Sequence, residues 1–66
     1  MKYSERIKEL RISKNLSQMQ LATLTNISQS AIAKWELGKT EPTAGAIITL
    51  AKFFEETTDY LLGLED

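Results

Sequence analysis

The residue types that most often perform catalysis are scarce in this sequence. There is no histidine and no cysteine, which excludes disulfides and the common zinc sites. The adjacent carboxylates Glu55 and Glu56 have no nucleophile or metal ligand nearby, so we expect water to solvate them. No glycine-rich phosphate loop is present either. The sequence therefore predicts a protein that is not an enzyme and that needs no metal or cofactor.

Hydrogen-bonding side chains instead recur at helical spacing near the middle of the chain. Two predicted helices are separated there by a short turn at residues 25–27, so they must cross steeply and touch at a small residue, Ala22. The second of these helices then projects its N-terminal end, an end that fits the major groove of DNA. Its outward face carries Gln29, Ser30, Ala33 and Lys34.

The apolar residues predict the elements that position this face. They recur at helical spacing, and no window alternates as a half-buried strand would. Five short helices are expected at about residues 4–14, 17–25, 29–37, 43–54 and 58–62. The expected N-caps are Ser4, Ser17 in a capping box with Gln20, Ser28 and Thr43. The fold class is therefore all-α, a compact five-helix globule in a single domain over residues 1–66.

The charge of the chain is divided unevenly along its length. Residues 1–39 hold seven Lys and Arg against three Glu, a net +4, whereas residues 40–66 hold one Lys against six Asp and Glu, a net −5. The sum is the overall net charge of −1. A basic half can face phosphates while an acidic half faces away; the alternative is chance drift of charge over short stretches.

Length and hydropathy indicate how this chain could be stabilised and argue against a secreted or membrane-spanning protein. A chain of 66 residues buries only about 60% of its unfolded surface, so dimerisation would help its core. The N-terminus is charged where a signal peptide needs an apolar segment, and the apolar stretch at residues 44–51 is too short to span a bilayer. We expect a cytoplasmic protein, encoded by a bacterium, a phage or another mobile element, with no membrane partner.

Several segments, in this order, resemble the helix-turn-helix domains of Cro and the phage repressors, also called the XRE family. They are ERIKELR, LSQMQLA, ISQSAIAKWELGK, EPT, LAKFF and DYLLG, and they cover nearly the whole chain. The resemblance implies a lambda-repressor-like DNA-binding domain with its helix-turn-helix at about residues 17–37. Asn26 stands where the family usually has glycine, but asparagine can also adopt the left-handed conformation.

The resemblance also implies roles for individual residues. Gln29, Ser30, Ala33 and Lys34 match positions that read base edges. The matches to positions that contact the DNA backbone are Gln18, Ser28, Gly38, Lys39 and Thr40, with Gln18 also bracing Gln29. Arg11 and Glu36 match a structural salt bridge between the first and third helices. Candidates for a dimer seam are Phe54, Tyr60, Leu61, Leu62 and Leu64.

These expectations together describe a sequence-specific regulator of transcription that binds double-stranded DNA. The family implies a homodimer on a roughly palindromic operator, with repression as the usual outcome. Two alternatives stay open. One is an antitoxin of this fold that represses its own operon and binds a toxin. The other is a protein-interaction module that keeps the shape but reads no DNA, for which Ile12 and Leu24, both expected to be exposed, would form part of the surface.

Overall fold

Residues 2–65 are described by the structure, a computed structural model, and they form five α-helices without a strand. The helices are α1 (Lys2–Ser13), α2 (Gln18–Thr25), α3 (Gln29–Glu36), α4 (Ala44–Phe54) and α5 (Thr58–Leu62). The all-α prediction is confirmed, and each predicted helix is found within two residues of its expected bounds. No helix in this part of the chain is long and apolar enough to cross a membrane.

Side-chain caps begin four of the five helices. Ser17 and Gln20 form the predicted capping box, with Gln20 N donating to Ser17 Oγ at 3.0 Å and Ser17 N donating to Gln20 Oε1 at 2.8 Å. Ser28 and Thr43 accept from the amides of Ala31 and Ala46 at the starts of α3 and α4. Thr57 does the same for α5, accepting from Tyr60 N. Each bond satisfies an amide that the first turn leaves without a partner.

The prediction that Ser4 caps α1 is wrong. The helix begins earlier, at Lys2, because Tyr3 is buried in the core and its hydroxyl donates to the carbonyl of Thr40 at 3.3 Å. Ser4 consequently lies inside the first turn and is buried, and its hydroxyl has no partner among the described residues. It faces Gly38, where an added Cβ would lie 3.4 Å from the Ser4 oxygen.

The core draws on every helix. The five largest side chains that are fully shielded from solvent come one from each helix: Ile7, Leu21, Ile32, Leu50 and Leu61. Trp35 is also buried, as its spacing predicted. Helix α1 packs against α3 and α5, α2 packs against α3 and α4, and α4 packs against α5. This arrangement leaves one long side of α3 outside the core.

The dimer-seam prediction is wrong for two of its five residues. Phe54 is only 5% exposed and Leu61 is fully buried, because both point into the core between α4, α5 and the rest of the bundle. They have no surface to offer a partner. Leu62 and Leu64 are exposed and Tyr60 is half-buried, so these three remain available.

Candidate nucleic-acid interface

The turn between α2 and α3 is shaped by one residue in the left-handed conformation. Asn26 has φ 59° and ψ 32°, and its amide donates to the carbonyl of Ala22 at the end of α2. Ile27 N donates to the same carbonyl at 3.2 Å, which is how a left-handed cap satisfies the last carbonyls of a helix. Ala22 is buried, as expected for a small residue where two helices cross.

The outward face of α3 collects the four predicted base-reading residues. Ser30 and Lys34 are exposed, and Gln29 and Ala33 are half-buried, while Ile32 and Trp35 on the other side are in the core. Residues four apart lie one above the other on a helix, so Gln29 stands over Ala33 and Ser30 over Lys34. The structure therefore brings these four side chains together on one surface.

A chain of hydrogen bonds positions the first residue of that surface. Gln29 Nε2 donates to Gln18 Oε1 at 2.8 Å, and Gln18 Nε2 donates to Glu36 Oε1 at 3.1 Å. Both glutamines are half-buried. The predicted contact between Gln18 and Gln29 is thus present in the structure, and it connects the beginning of α2 to the beginning of α3.

Arg11 and Glu36 form an ion pair with two hydrogen bonds, and this pair ends the series of hydrogen bonds that begins at Gln29. Arg11 Nε lies 2.8 Å from Glu36 Oε2, and Arg11 Nη2 lies 3.0 Å from Glu36 Oε1. The side chains are 12% and 5% exposed. The hydrogen bond to Glu36 raises the pKa of Arg11 above its ordinary value, and the attraction of the nearby charge adds to that rise, while partial burial opposes it. Arg11 Nη1 also donates to the carbonyl of Leu16, so this residue holds α1, the segment before α2 and the end of α3 together.

The loop after α3 uses its amides internally. Gly38 has φ 74°, and its amide donates to Trp35 O while the amide of Lys39 donates to Lys34 O. Gly38 therefore shapes the loop and has no amide left for a phosphate. The side chains of Lys39 and Thr40 are exposed, so in this loop they are the groups that can reach a DNA backbone.

One set of contacts was not predicted at all. The Arg6 guanidinium donates to the carbonyls of Tyr60 and Glu65 at 2.6 and 2.7 Å and lies 4.0 Å from the centroid of the Tyr60 ring. These residues are more than fifty positions from Arg6, and no local pattern relates them. Arg6 and Arg11 are therefore occupied inside the fold, which leaves the lysines as the exposed cations of the basic half.

Among residues 2–65, no group of three or more acidic side chains lies close enough together to hold a metal ion. Ile12 and Leu24 are 53% and 59% exposed, which confirms that they lie on the surface. Nothing in the described part of the chain covers them.

Comparison with known proteins places this geometry in a family context. A family model described as helix-turn-helix matches residues 7–61. The HTH-type transcriptional activator BcrR of Enterococcus faecalis is 42% identical over all of this chain and 32% of its own length. The HTH-type transcriptional regulator AnsR of Bacillus subtilis (strain 168) is 41% identical over 92% of this chain and 53% of its own.

A phage protein belongs to the same set of relatives. Repressor protein C2 of Salmonella phage P22 is 34% identical over 88% of this chain and 27% of its own length. The chain thus spans from about a quarter to about half of these three relatives. No solved structure matches it.

Proposed function

Because this chain is a member of the helix-turn-helix family that includes phage repressors, we propose that it is a sequence-specific transcriptional regulator that binds double-stranded DNA. The observation that carries the proposal is the outward face of α3, where Gln29, Ser30, Ala33 and Lys34 lie together and Gln29 is held by Gln18. Family membership also supports the prediction that the chain is not an enzyme.

In this proposal α3 enters the major groove and its side chains read bases. Gln29 pairs with adenine through its amide, and Lys34 donates to guanine O6 or N7. Ala33 contacts a thymine methyl group, and the Ser30 hydroxyl can hydrogen-bond to adenine or to guanine. The burial of Ile32 and Trp35 supports this assignment, because their packing fixes the rotation of α3 about its axis.

The residues around α3 contact the DNA backbone. Ser28 uses its hydroxyl oxygen to accept from Ala31 N, which leaves its hydroxyl proton for a phosphate. Gln18 retains one N–H beyond the bond to Glu36, and Lys39 and Thr40 offer exposed side chains. The free amides at the N-termini of α2 and α3 also favour an anion. Residues 1–66 act here as one DNA-binding domain with the motif at 17–37.

We further propose that two copies bind one palindromic operator. The described chain has one such α3 and a longest dimension of 27 Å, whereas half-sites one helical turn apart are separated by about 34 Å. A single copy therefore cannot reach both. Tyr60, Leu62 and Leu64 at the C-terminal end supply the seam.

Repression follows from operator binding when the bound dimer excludes polymerase from a promoter. The relatives include both an activator and a repressor by name, so the sign of regulation is tested separately. A reporter gene placed behind the operator that selection from a random duplex library identifies should lose expression when the chain is produced. A rise in expression would contradict repression but not DNA binding.

Two substitutions on α3 test the proposed reading surface. Gln29→Ala and Lys34→Ala should each weaken binding to the best duplex by about 1–3 kcal/mol, roughly 5- to 150-fold, and relax the preference for one base pair. Lys52→Ala is the matched control, because Lys52 is an exposed lysine on α4 in the acidic half. Equal affinities for all four chains would contradict the assignment of α3.

A further inference from the structure

We propose that Glu36 is a specificity-determining positioning residue, which acts through Gln18 to fix the direction in which the Gln29 amide faces the bases. The inference rests on the proposed function, since it requires Gln29 to read a base. It goes beyond the structural role of the Arg11–Glu36 pair, because it assigns to Glu36 a part in the choice between adenine and guanine.

The direction of the hydrogen-bond chain follows from the chemistry of its buried end. A carboxylate accepts hydrogen bonds and cannot donate them, so Gln18 must turn its NH2 group toward Glu36, as it does at 3.1 Å. The carbonyl oxygen of Gln18 then faces Gln29, and Gln29 must donate to it, as it does at 2.8 Å. Glu36 therefore determines the orientation of both amides.

This orientation decides what Gln29 presents to DNA. One N–H of Gln29 is used on Gln18, which leaves one N–H and the carbonyl oxygen. Adenine offers an acceptor at N7 and a donor at N6, and that pair is complementary to one donor and one acceptor. The opposite orientation would leave both N–H groups of Gln29 free, a pattern complementary to the two acceptors of guanine, O6 and N7.

Arg11 holds the carboxylate in place without taking part in the choice. Its two bonds use both oxygens of Glu36, and the Glu36 side chain is only 5% exposed, so water competes weakly for these positions. Any cation that keeps the carboxylate in place should preserve the orientation of Gln18. Removing the carboxylate, or replacing Gln18 by a residue without an amide, should leave the Gln29 amide free to turn either way.

The experiment measures discrimination rather than affinity. Gln29→Ala first identifies the base pair that Gln29 reads, as the pair at which this variant loses the wild-type preference. The preferred duplex of the wild-type chain is then compared with the same duplex carrying G·C in place of A·T at that pair. The ratio of the two Kd values is determined for the wild type, for Arg11→Met/Glu36→Leu and for Gln18→Leu. The double substitution replaces both charges by apolar groups, which limits the loss of stability. Arg11→Lys is the control, because it keeps the carboxylate and a positive charge beside it.

The wild type should prefer adenine by about 5- to 150-fold, as expected for a bidentate contact. Arg11→Met/Glu36→Leu and Gln18→Leu should each reduce this ratio by at least about twofold, whereas Arg11→Lys should retain it even where its thermal stability falls. Circular dichroism at the assay temperature identifies any variant that is unfolded. If the double variant is unfolded, Gln18→Leu decides alone.

Three results separate this inference from the proposed function. If Gln29→Ala abolishes the preference while the folded double variant or Gln18→Leu keeps the wild-type ratio, the role of Glu36 is overturned and DNA reading by Gln29 stands. A wild-type preference for guanine at that pair would overturn it as well. If Gln29→Ala changes neither affinity nor preference, the proposed reading surface itself fails.

Discussion

The Arg11 guanidinium joins three parts of the chain through side-chain chemistry alone. It makes two bonds to Glu36 at the end of α3 and one to the carbonyl of Leu16 before α2. Hydrogen bonds to charged groups are among the stronger ones in proteins, each contributing about 1.5–3 kcal/mol. At the scale of single residues, this pair is therefore the contact whose loss should lower the free energy of unfolding most.

Arg11→Ala should lower the free energy of unfolding by about 3–5 kcal/mol, because it leaves the Glu36 carboxylate nearly buried without its partner. In a domain of this size the melting temperature should fall by about 12 °C or more. Thermal denaturation followed by circular dichroism measures the change, and Lys8→Ala, which removes an exposed cation from the same helix, is the control. Equal losses for the two variants would contradict a structural role for the pair.

Part of this residue-level arrangement was predictable. The pairing of Arg11 with Glu36 and the contact of Gln18 with Gln29 were both expected from the resemblance, and both occur. The bond between Gln18 and Glu36 was not expected. It joins residues eighteen positions apart on different helices and depends on side-chain rotamers that only the packed structure defines.

At the scale of the helices, the caps account for most of what could be predicted. Ser17, Ser28 and Thr43 act on the backbone three residues away, so their effect is local and visible in the sequence. Ser4 has the same residue type but a different role, because the burial of Tyr3 draws the first turn into the helix. A tertiary contact overrode a local preference at that position.

The end of α4 offers a test of backbone strain. Glu55 adopts φ 57° and ψ 43°, a left-handed conformation that costs a residue with a side chain about 1–2 kcal/mol. Glu55→Gly should therefore raise the free energy of unfolding by about 0.5–1 kcal/mol, after allowance for the greater freedom of glycine in the unfolded chain.

Glu56→Gly is the matched control for that test. It removes the same charge from the neighbouring exposed residue, whose φ is not positive, so it gains no relief of strain and should leave the stability unchanged or lower it. Both variants can be compared by chemical denaturation. If Glu55→Gly were no more stable than Glu56→Gly, the left-handed cap at residue 55 would be in doubt.

At the scale of the whole molecule, the charged and apolar side chains that are exposed determine how the protein can bind DNA. The two halves carry +4 and −5 by sequence, but two cations of the basic half, Arg6 and Arg11, are bonded within the fold. Composition alone could not reveal this, nor which apolar residues of the C-terminal end are exposed. Leu61 and Leu62 are neighbours in sequence, yet the first is fully buried and the second is exposed, because successive residues of a helix point about 100° apart around its axis.

Lys39 tests the electrostatic part of the account. Its side chain is exposed in the loop after α3, and we expect it to contact a phosphate rather than a base. Lys39→Ala should weaken binding to all duplexes by a similar factor and reduce the slope of log K against log salt by about 0.9. Titrations at several salt concentrations measure the slope. A loss confined to one sequence would instead assign Lys39 to base reading.

The central claim, that this chain reads operator DNA with α3 as a symmetric dimer, is tested most directly by selection from a random duplex library at physiological salt, followed by sequencing. We predict enrichment of a two-fold-symmetric site whose half-sites lie about 34 Å, or about 10 base pairs, apart. If no motif emerges while the protein remains folded, α3 is not a DNA-reading surface and the claim is contradicted.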